Sequence, residues 1–210
     1  MEKSCGTDYF NYDLYNAYRE GNIFERVFHS LRLREVESIV NLEQKKVLDY
    51  GCGSGLVLIH LLKKGYDVSG YDISKPNIDL CNKYCKENGF NPDLYLRELP
   101  TQKWDVVFLN NVLEYVNEKK AVLLEVLEHL NKNGLIIVSI ALRSHPFIKF
   151  NNIRSIFSGR DKKDIVTAEP NEKLDERELL ALFHSMNLYL VKTKLGAFLI
   201  NKHYMFRFSN

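Results

Sequence analysis

No apolar run in these 210 residues approaches the roughly 20 residues a membrane-crossing helix needs. The longest near the glycine-rich segment, Leu56 to Leu62, is interrupted by His60. The first ten residues, MEKSCGTDYF, lack the apolar core of a secretory signal, so the expected compartment is the cytoplasm. An excess of one charge is missing too. The net charge is +2, too small to argue for nucleic acid or an anionic membrane as partner. Cysteines are few: Cys5, Cys52, Cys81 and Cys85. Cys81 and Cys85 are one helical turn apart, but no other His or Cys pair has the spacing of a structural zinc site. They read as reduced thiols packed on a helix face, and no metal is expected. Repeats, low-complexity tracts and a second domain are not found.

The content that remains is that of a globular chain, 45% hydrophobic and 27% charged, long enough for one well-buried core. Residues 1–44 read as a helical cap. Ile23, Phe24, Val27, Phe28, Leu31, Val36, Ile39 and Val40 recur at helical spacing, and Tyr9, Tyr12, Tyr15 and Tyr18 precede them. From Val47 strand and helix alternate: KVLDYG, a helix from Leu56 to Lys64 stopped by Gly65, then YDVSGYDI. Ser74 is placed to cap the next helix, with Pro76 in its first turn. LYLREL and WDVVFLNN follow as strands. Asn117 is read as the cap of a helix carrying Val122, Leu123, Val126, Leu127 and Leu130, and Asn131 to Gly134 as the turn into GLIIVSIAL. This rhythm predicts a parallel sheet with helical crossovers.

Residues 45–210 thus form one α/β domain with an insert at about 143–173, on the substrate side. Up to Asp164 that insert carries six Lys or Arg against two acids, and a loop of that length reads as a lid or binding element. Asp175 and Glu178 have the spacing of a capping box. They open a helix with Leu179, Leu182, Phe183 and Met186 inward. LYLVKTKLG and FLINKHYMFRF close the chain as an antiparallel pair.

The chemistry concentrates at VLDYGCGSG. A triphosphate loop needs Lys and Ser or Thr after its last glycine; here Leu56 and Val57 follow Gly55. A dinucleotide fingerprint needs its third glycine one place later, where Leu56 stands. Asp72, at the end of the second strand, is positioned to accept ribose hydroxyls. Asp49, two residues before Gly51, would repel a pyrophosphate and attract a cation. The implied ligand carries both an adenosine and a positive charge, as S-adenosylmethionine does.

VLDYGCGSG, GYDIS, WDVVFLNNVLEYV and LNKNGLIIVSI resemble, in order and spacing, the successive motifs of class I S-adenosylmethionine-dependent methyltransferases, and in particular those that methylate small molecules in quinone biosynthesis. The resemblance implies a Rossmann-like, mostly parallel seven-stranded sheet of order 3-2-1-4-5-7-6, its last strand antiparallel. It implies that Asp49, Gly51 and Gly53 line the methionine half of the cofactor. Asp72 would hold the ribose, Ile73 would pack on adenine, and Glu98 with Leu99 would stand near the adenine amino group. Asn110 and Asn111 would approach the methionine portion. Many relatives have His where this chain has Tyr115. Tyr115 and His145 are the candidate catalytic side chains. The expected activity is in-line methyl transfer to a small-molecule or lipid-like acceptor, acidic or apolar, by a monomer or homodimer. A cofactor-binding regulatory module and a protein or RNA methyltransferase are the alternatives.

Overall fold

A computed structural model describes residues 13–141, 175–196 and 201–208. The insert at 143–173, including His145, and also Cys5, Tyr9 and Tyr12, lie outside the described residues.

Seven strands form one sheet in the order β3-β2-β1-β4-β5-β7-β6. They are β1 (Lys46–Tyr50), β2 (Asp67–Asp72), β3 (Leu94–Leu96), β4 (Trp104–Asn110), β5 (Leu130–Ala141), β6 (Leu188–Leu195) and β7 (Asn201–Phe208). The first five pair in parallel, and β7 runs antiparallel to both β5 and β6. This is the order the resemblance implied.

Among the described residues six helices flank the sheet: α1 (Leu14–Glu20), α2 (Ile23–Ile39), α3 (Leu56–Lys63), α4 (Lys75–Glu87), α5 (Lys119–Glu128) and α6 (Glu176–Ser185). Alternate strand residues feed two cores, because successive side chains point to opposite faces. On one face Leu48, Val107, Leu109, Ile136, Val138 and Phe206 meet Val122, Leu123 and Val126 of α5 and Leu179 and Phe183 of α6. On the other, Val47, Val68, Val106, Phe108 and Ile137 meet Leu33, Val36 and Ile39 of α2, the apolar stripe of α3, and Cys81, Tyr84 and Cys85 of α4. Cys52, Cys81 and Cys85 are free and buried. Near-continuous apolar strands such as WDVVFLN follow from burial on both faces.

Several local expectations are corrected. The N-terminal helical stretch is two helices, because Asn22 and Glu25 form a capping box that starts α2 afresh after Gly21. Ile23 and Val27, which share helical spacing with the inward residues, are 65% and 43% exposed, so the buried stripe starts later, at His29 and Leu33. The N-cap of α5 is Glu118 rather than Asn117. β3 stops at Leu96, because Arg97 adopts φ +65° and turns the strand away. β5 starts early, at Leu130; Asn131–Gly134 is an irregularity inside its ladder with β4, where Asn133 has φ +66°. The Ser74 cap of α4 and the Asp175–Glu178 box of α6 form as read from sequence.

Candidate active site

The strand order reverses between β1 and β4: the chain steps outward from β1 to β2 and β3, then returns to the far side of β1. Side chains and loops at the carboxyl ends of strands flanking such a point line the crevice of an open α/β sheet. Asp49 stands next to the last residue of β1, the loop 51–55 follows that strand, Asp72 ends β2 and Asn110 ends β4.

The loop is held from below. Gly51 N–H and Cys52 N–H both donate to the Tyr71 carbonyl, at 2.7 and 2.9 Å. Gly51 has φ +78°, and a Cβ there would stand 2.6 Å from Val112 Cγ2. Only glycine meets both conditions. Gly53, at φ +55°, is different: a Cβ there would find no heavy atom within 4 Å. Its outward side is open, and its N–H donates to Asp72 Oδ2 at 2.9 Å. Asp72 Oδ1 accepts from the Ser74 N–H at 2.9 Å, and Oδ2 also accepts from Asn77 Nδ2 at 3.3 Å. Burial raises the pKa of this carboxyl, against the pull of the Ser74, Gly53 and Asn77 donors. Asp72 therefore ties the glycine loop to the start of α4.

Asp49 is 2% exposed. Burial pushes its pKa up to about 7, against the nearby Asn110 amide and Arg32 guanidinium and with the Asp72 charge adding to the rise. The Leu58 N–H at the start of α3 also favours the ionised form. Asn110 Nδ2 is buried and has no hydrogen-bond partner of complete geometry. Its Oδ1 accepts from Ser139 Oγ at 2.9 Å. Asn111, at φ +56°, donates its N–H to the Ser139 carbonyl and its Nδ2 to Glu114 Oε1, at 3.0 and 3.2 Å.

Ile73 and Leu99 are half-buried against the first core, whereas Glu98 is exposed. Tyr115 closes a single 3₁₀ turn, Leu113–Tyr115, and is half-buried. Among the described residues no group of three or more His, Cys, Asp or Glu is placed to hold a metal, and no helix is long and apolar enough to cross a membrane.

Sequence reasoning missed Arg32. Burial lowers its pKa, opposed by the charges of Asp49, Glu114, Tyr115 and Glu35. It is a cation facing three carboxylates, Asp49, Glu114 and Glu35, and the Tyr115 phenol, delivered from α2. The signal was present: His29, Arg32 and Glu35 are polar positions interleaved with Leu33 and Val36 on the inward side of a helix, and buried charge is retained only when something answers it.

The Asp49 geometry makes a stability prediction. Its folded pKa lies above its unfolded value, so the folded state binds the extra proton and stability falls as pH rises from about 4 to about 7. Asp49→Asn removes that cost. The ligand-free variant should be more stable than the parent at neutral pH by about 1–3 kcal/mol. Thermal melts at neutral and mildly acid pH check this, because the advantage should shrink on acidification.

The family described as Methyltransferase domain matches residues 6–193. The ubiquinone biosynthesis O-methyltransferase of Rickettsia conorii is 33% identical over 125 residues, covering 57% of this chain and 43% of that protein. The protein of the same name from Rickettsia prowazekii is 28% identical over 151 residues, covering 68% and 60%. The chain thus spans less than two thirds of the length of these curated relatives. Among solved structures, the magnesium protoporphyrin IX methyltransferase of Synechocystis with bound SAH superposes with a TM-score of 0.69 at 20% identity, covering 96% of this chain and 97% of that one. A S-adenosylmethionine-dependent methyltransferase from Clostridium acetobutylicum gives 0.63 at 13%, covering 94% and 97%. At those identities the likeness speaks for the fold. With the family match spanning most of its length, the chain belongs to the methyltransferase-domain family.

Proposed function

We propose that the chain transfers a methyl group from S-adenosylmethionine to a small organic acceptor. The observation that carries this reading is a pair of buried carboxylates, Asp49 and Asp72, on adjacent strands beside a loop whose Gly53 faces open space. Two carboxylates beside the loop disfavour polyphosphate and suit a ligand that brings a cation and a diol.

The residues fit that cofactor. Asp49, with the buried Asn110 amide next to it, would receive the ammonium end. Arg32, beside Asp49, would receive a carboxylate on the same amino-acid head. Asp72 has three donors against about four acceptor sites on a carboxylate. The Ile73 N–H also favours the ionised carboxyl, so a ribose hydroxyl would enter by replacing the 3.3 Å Asn77 bond, the longest of the three. Ile73 and Leu99 would flank the adenine, with Glu98 nearby. When bound, the sulfonium supplies an electrophilic methyl and a neutral leaving group.

What remains for the protein is alignment, which can supply several kcal/mol of barrier lowering. Tyr115 would face the acceptor in this reading, and Asn111 would stand with Asn110 toward the methionine portion. His145 would serve as base only for an acceptor that arrives protonated. The names of the quinone-pathway relatives support a small acceptor. The proposal extends to a cytoplasmic monomer or homodimer with no nucleic-acid partner, in keeping with the near-neutral charge of +2.

Incubation with methyl-labelled S-adenosylmethionine and a panel of phenols, carboxylic acids and amines tests it, alongside calorimetry with S-adenosylhomocysteine. Label appearing in an acceptor is the expected result. Cofactor binding with no transfer across the panel would favour a regulatory module, and the absence of binding would sink the reading.

A further inference from the structure

Four buried polar side chains line up behind the site, none of them required by the reading above except Asn110. Asn110, Ser139 and His203 occupy matching register positions on β4, β5 and β7, and Glu35 meets them from α2. Ser139 Oγ lies 2.9 Å from Asn110 Oδ1 and 2.6 Å from His203 Nδ1. His203 Nε2 lies 3.2 Å from Glu35 Oε2. His203 and Ser139 are each 1% exposed, Glu35 8% and Asn110 9%.

The protons in this chain can be counted. A serine hydroxyl has one hydrogen. With Asn110 Oδ1 turned toward Ser139, that hydrogen goes to Asn110, so His203 must donate to Ser139 from Nδ1. His203 Nε2 then faces a carboxylate oxygen across 3.2 Å, and a proton must lie between them. In this direction the Asn110 amino group points to Asp49. Losing one proton from the His203–Glu35 pair to solvent reverses every bond: the shared proton settles on Nε2 and the Nδ1 proton leaves. His203 keeps Nε2–H against ionised Glu35 and accepts the Ser139 hydrogen at Nδ1. The Ser139 oxygen now needs a donor, so Asn110 turns its amino group to Ser139 and its carbonyl toward Asp49.

We infer that His203 is a positioning residue for the cofactor site, and that gain or loss of one proton by the His203–Glu35 pair decides whether Asn110 offers Asp49 an amino group or a carbonyl. The inference rests on the ligand ammonium lying at Asp49. An Asn110 carbonyl and the Asp49 carboxylate together hold an ammonium, whereas the Asn110 amino group competes with it. The empty site favours the protonated direction, since an Asp49 oxygen accepts from the Asn110 amino group. Ligand binding reverses the chain and releases one proton from the His203–Glu35 pair. The charged groups facing His203 are Glu35 and Arg32 from α2 and Lys194 from β6. Burial lowers the pKa of the imidazole and Glu35 raises it, with Arg32 and Lys194 lowering it further. The reversal therefore falls on the acid side of histidine's ordinary range.

Glu35→Gln separates this from the titration of Asp49, which also makes binding tighten with pH. A glutamine amide serves either direction by turning over, with no proton exchanged. Calorimetry with S-adenosylhomocysteine, from about pH 5 to pH 8 in buffers of different ionisation heat, should show the parent releasing more protons on binding than Glu35→Gln. Across that range the parent's affinity should rise about tenfold more than the variant's. Equal proton release and parallel profiles would overturn the inference. Nitrogen-15 NMR of the ligand-free parent tests the chain independently of any cofactor. The His203 ring should carry a proton on Nδ1 at low pH and settle in the Nε2–H form as pH rises. A ring that keeps one neutral tautomer and never changes its Nδ1 state overturns it as well. A parent that does not bind S-adenosylhomocysteine would sink the cofactor reading, while the NMR result would stand on its own.

Discussion

Asp72→Ala should weaken S-adenosylhomocysteine binding by at least about a hundredfold, near 3 kcal/mol. The substitution removes two things at once. It deletes the acceptor proposed for the ribose, and it leaves the Gly53 N–H, the Ser74 N–H and the Asn77 amide without the carboxylate that gathers them. The second loss loosens both the loop and the start of α4, so the melting temperature should fall as well. Asp72→Asn separates the effects. It retains one acceptor oxygen but turns the other position into a donor facing donors. Its binding loss should be comparable with that of the alanine variant, because a hydroxyl diol then meets only half an acceptor. Calorimetry on folded protein is the measurement, and undiminished affinity in both variants would remove Asp72 from the site.

Gly53→Ala should damage binding while hardly touching the fold. The position has φ +55° and no heavy atom within 4 Å of a built Cβ. The folding cost is then only the left-handed backbone penalty, about 1 kcal/mol. The methyl would project into the open side of the loop, where the proposed ligand lies, and should cost at least tenfold in affinity by excluding it. Gly51 makes the contrast: its Cβ would collide with Val112 Cγ2 at 2.6 Å, so a substitution there strikes the fold first. A Gly53→Ala protein that melts near the parent yet binds the ligand equally well would mean that the open space is not the cofactor's.

The glycine loop and the two acids at strand ends were legible because they depend on local chemistry, whereas the strand order came only with the family resemblance. A glycine with φ near +78° and an acid at a strand end advertise themselves over a few residues. The polar chain behind the site did not. Glu35 and His203 are 168 residues apart, and each looks ordinary in its own neighbourhood. Only the pairing of β7 with β5 puts His203 opposite Ser139. The early end of β3 was hidden for a related reason: LYLREL has strand-like composition throughout, but Arg97 gives its N–H to the Asp72 carbonyl and its guanidinium Nε to that of Ile73. Those long-range partners bend the chain into a left-handed residue that propensity does not favour. Ile23 and Val27 erred in the opposite sense, since helical spacing marks a face without saying whether anything covers it.

The Tyr15 N–H donates to Ser54 Oγ at 3.0 Å, and this bond is buried. It joins the helices that precede the sheet to the loop that follows β1. The Tyr15 ring also packs on Tyr84 of α4, with centroids 4.7 Å apart. One residue of the cap thus touches both elements that Asp72 ties together, the loop through its backbone and α4 through its ring. Rearranging the loop to release a ligand therefore means lifting α1 from its seat. The residence time of a bound molecule would then follow the clock of helix undocking, microseconds to milliseconds or slower, and not the faster one of a free glycine loop.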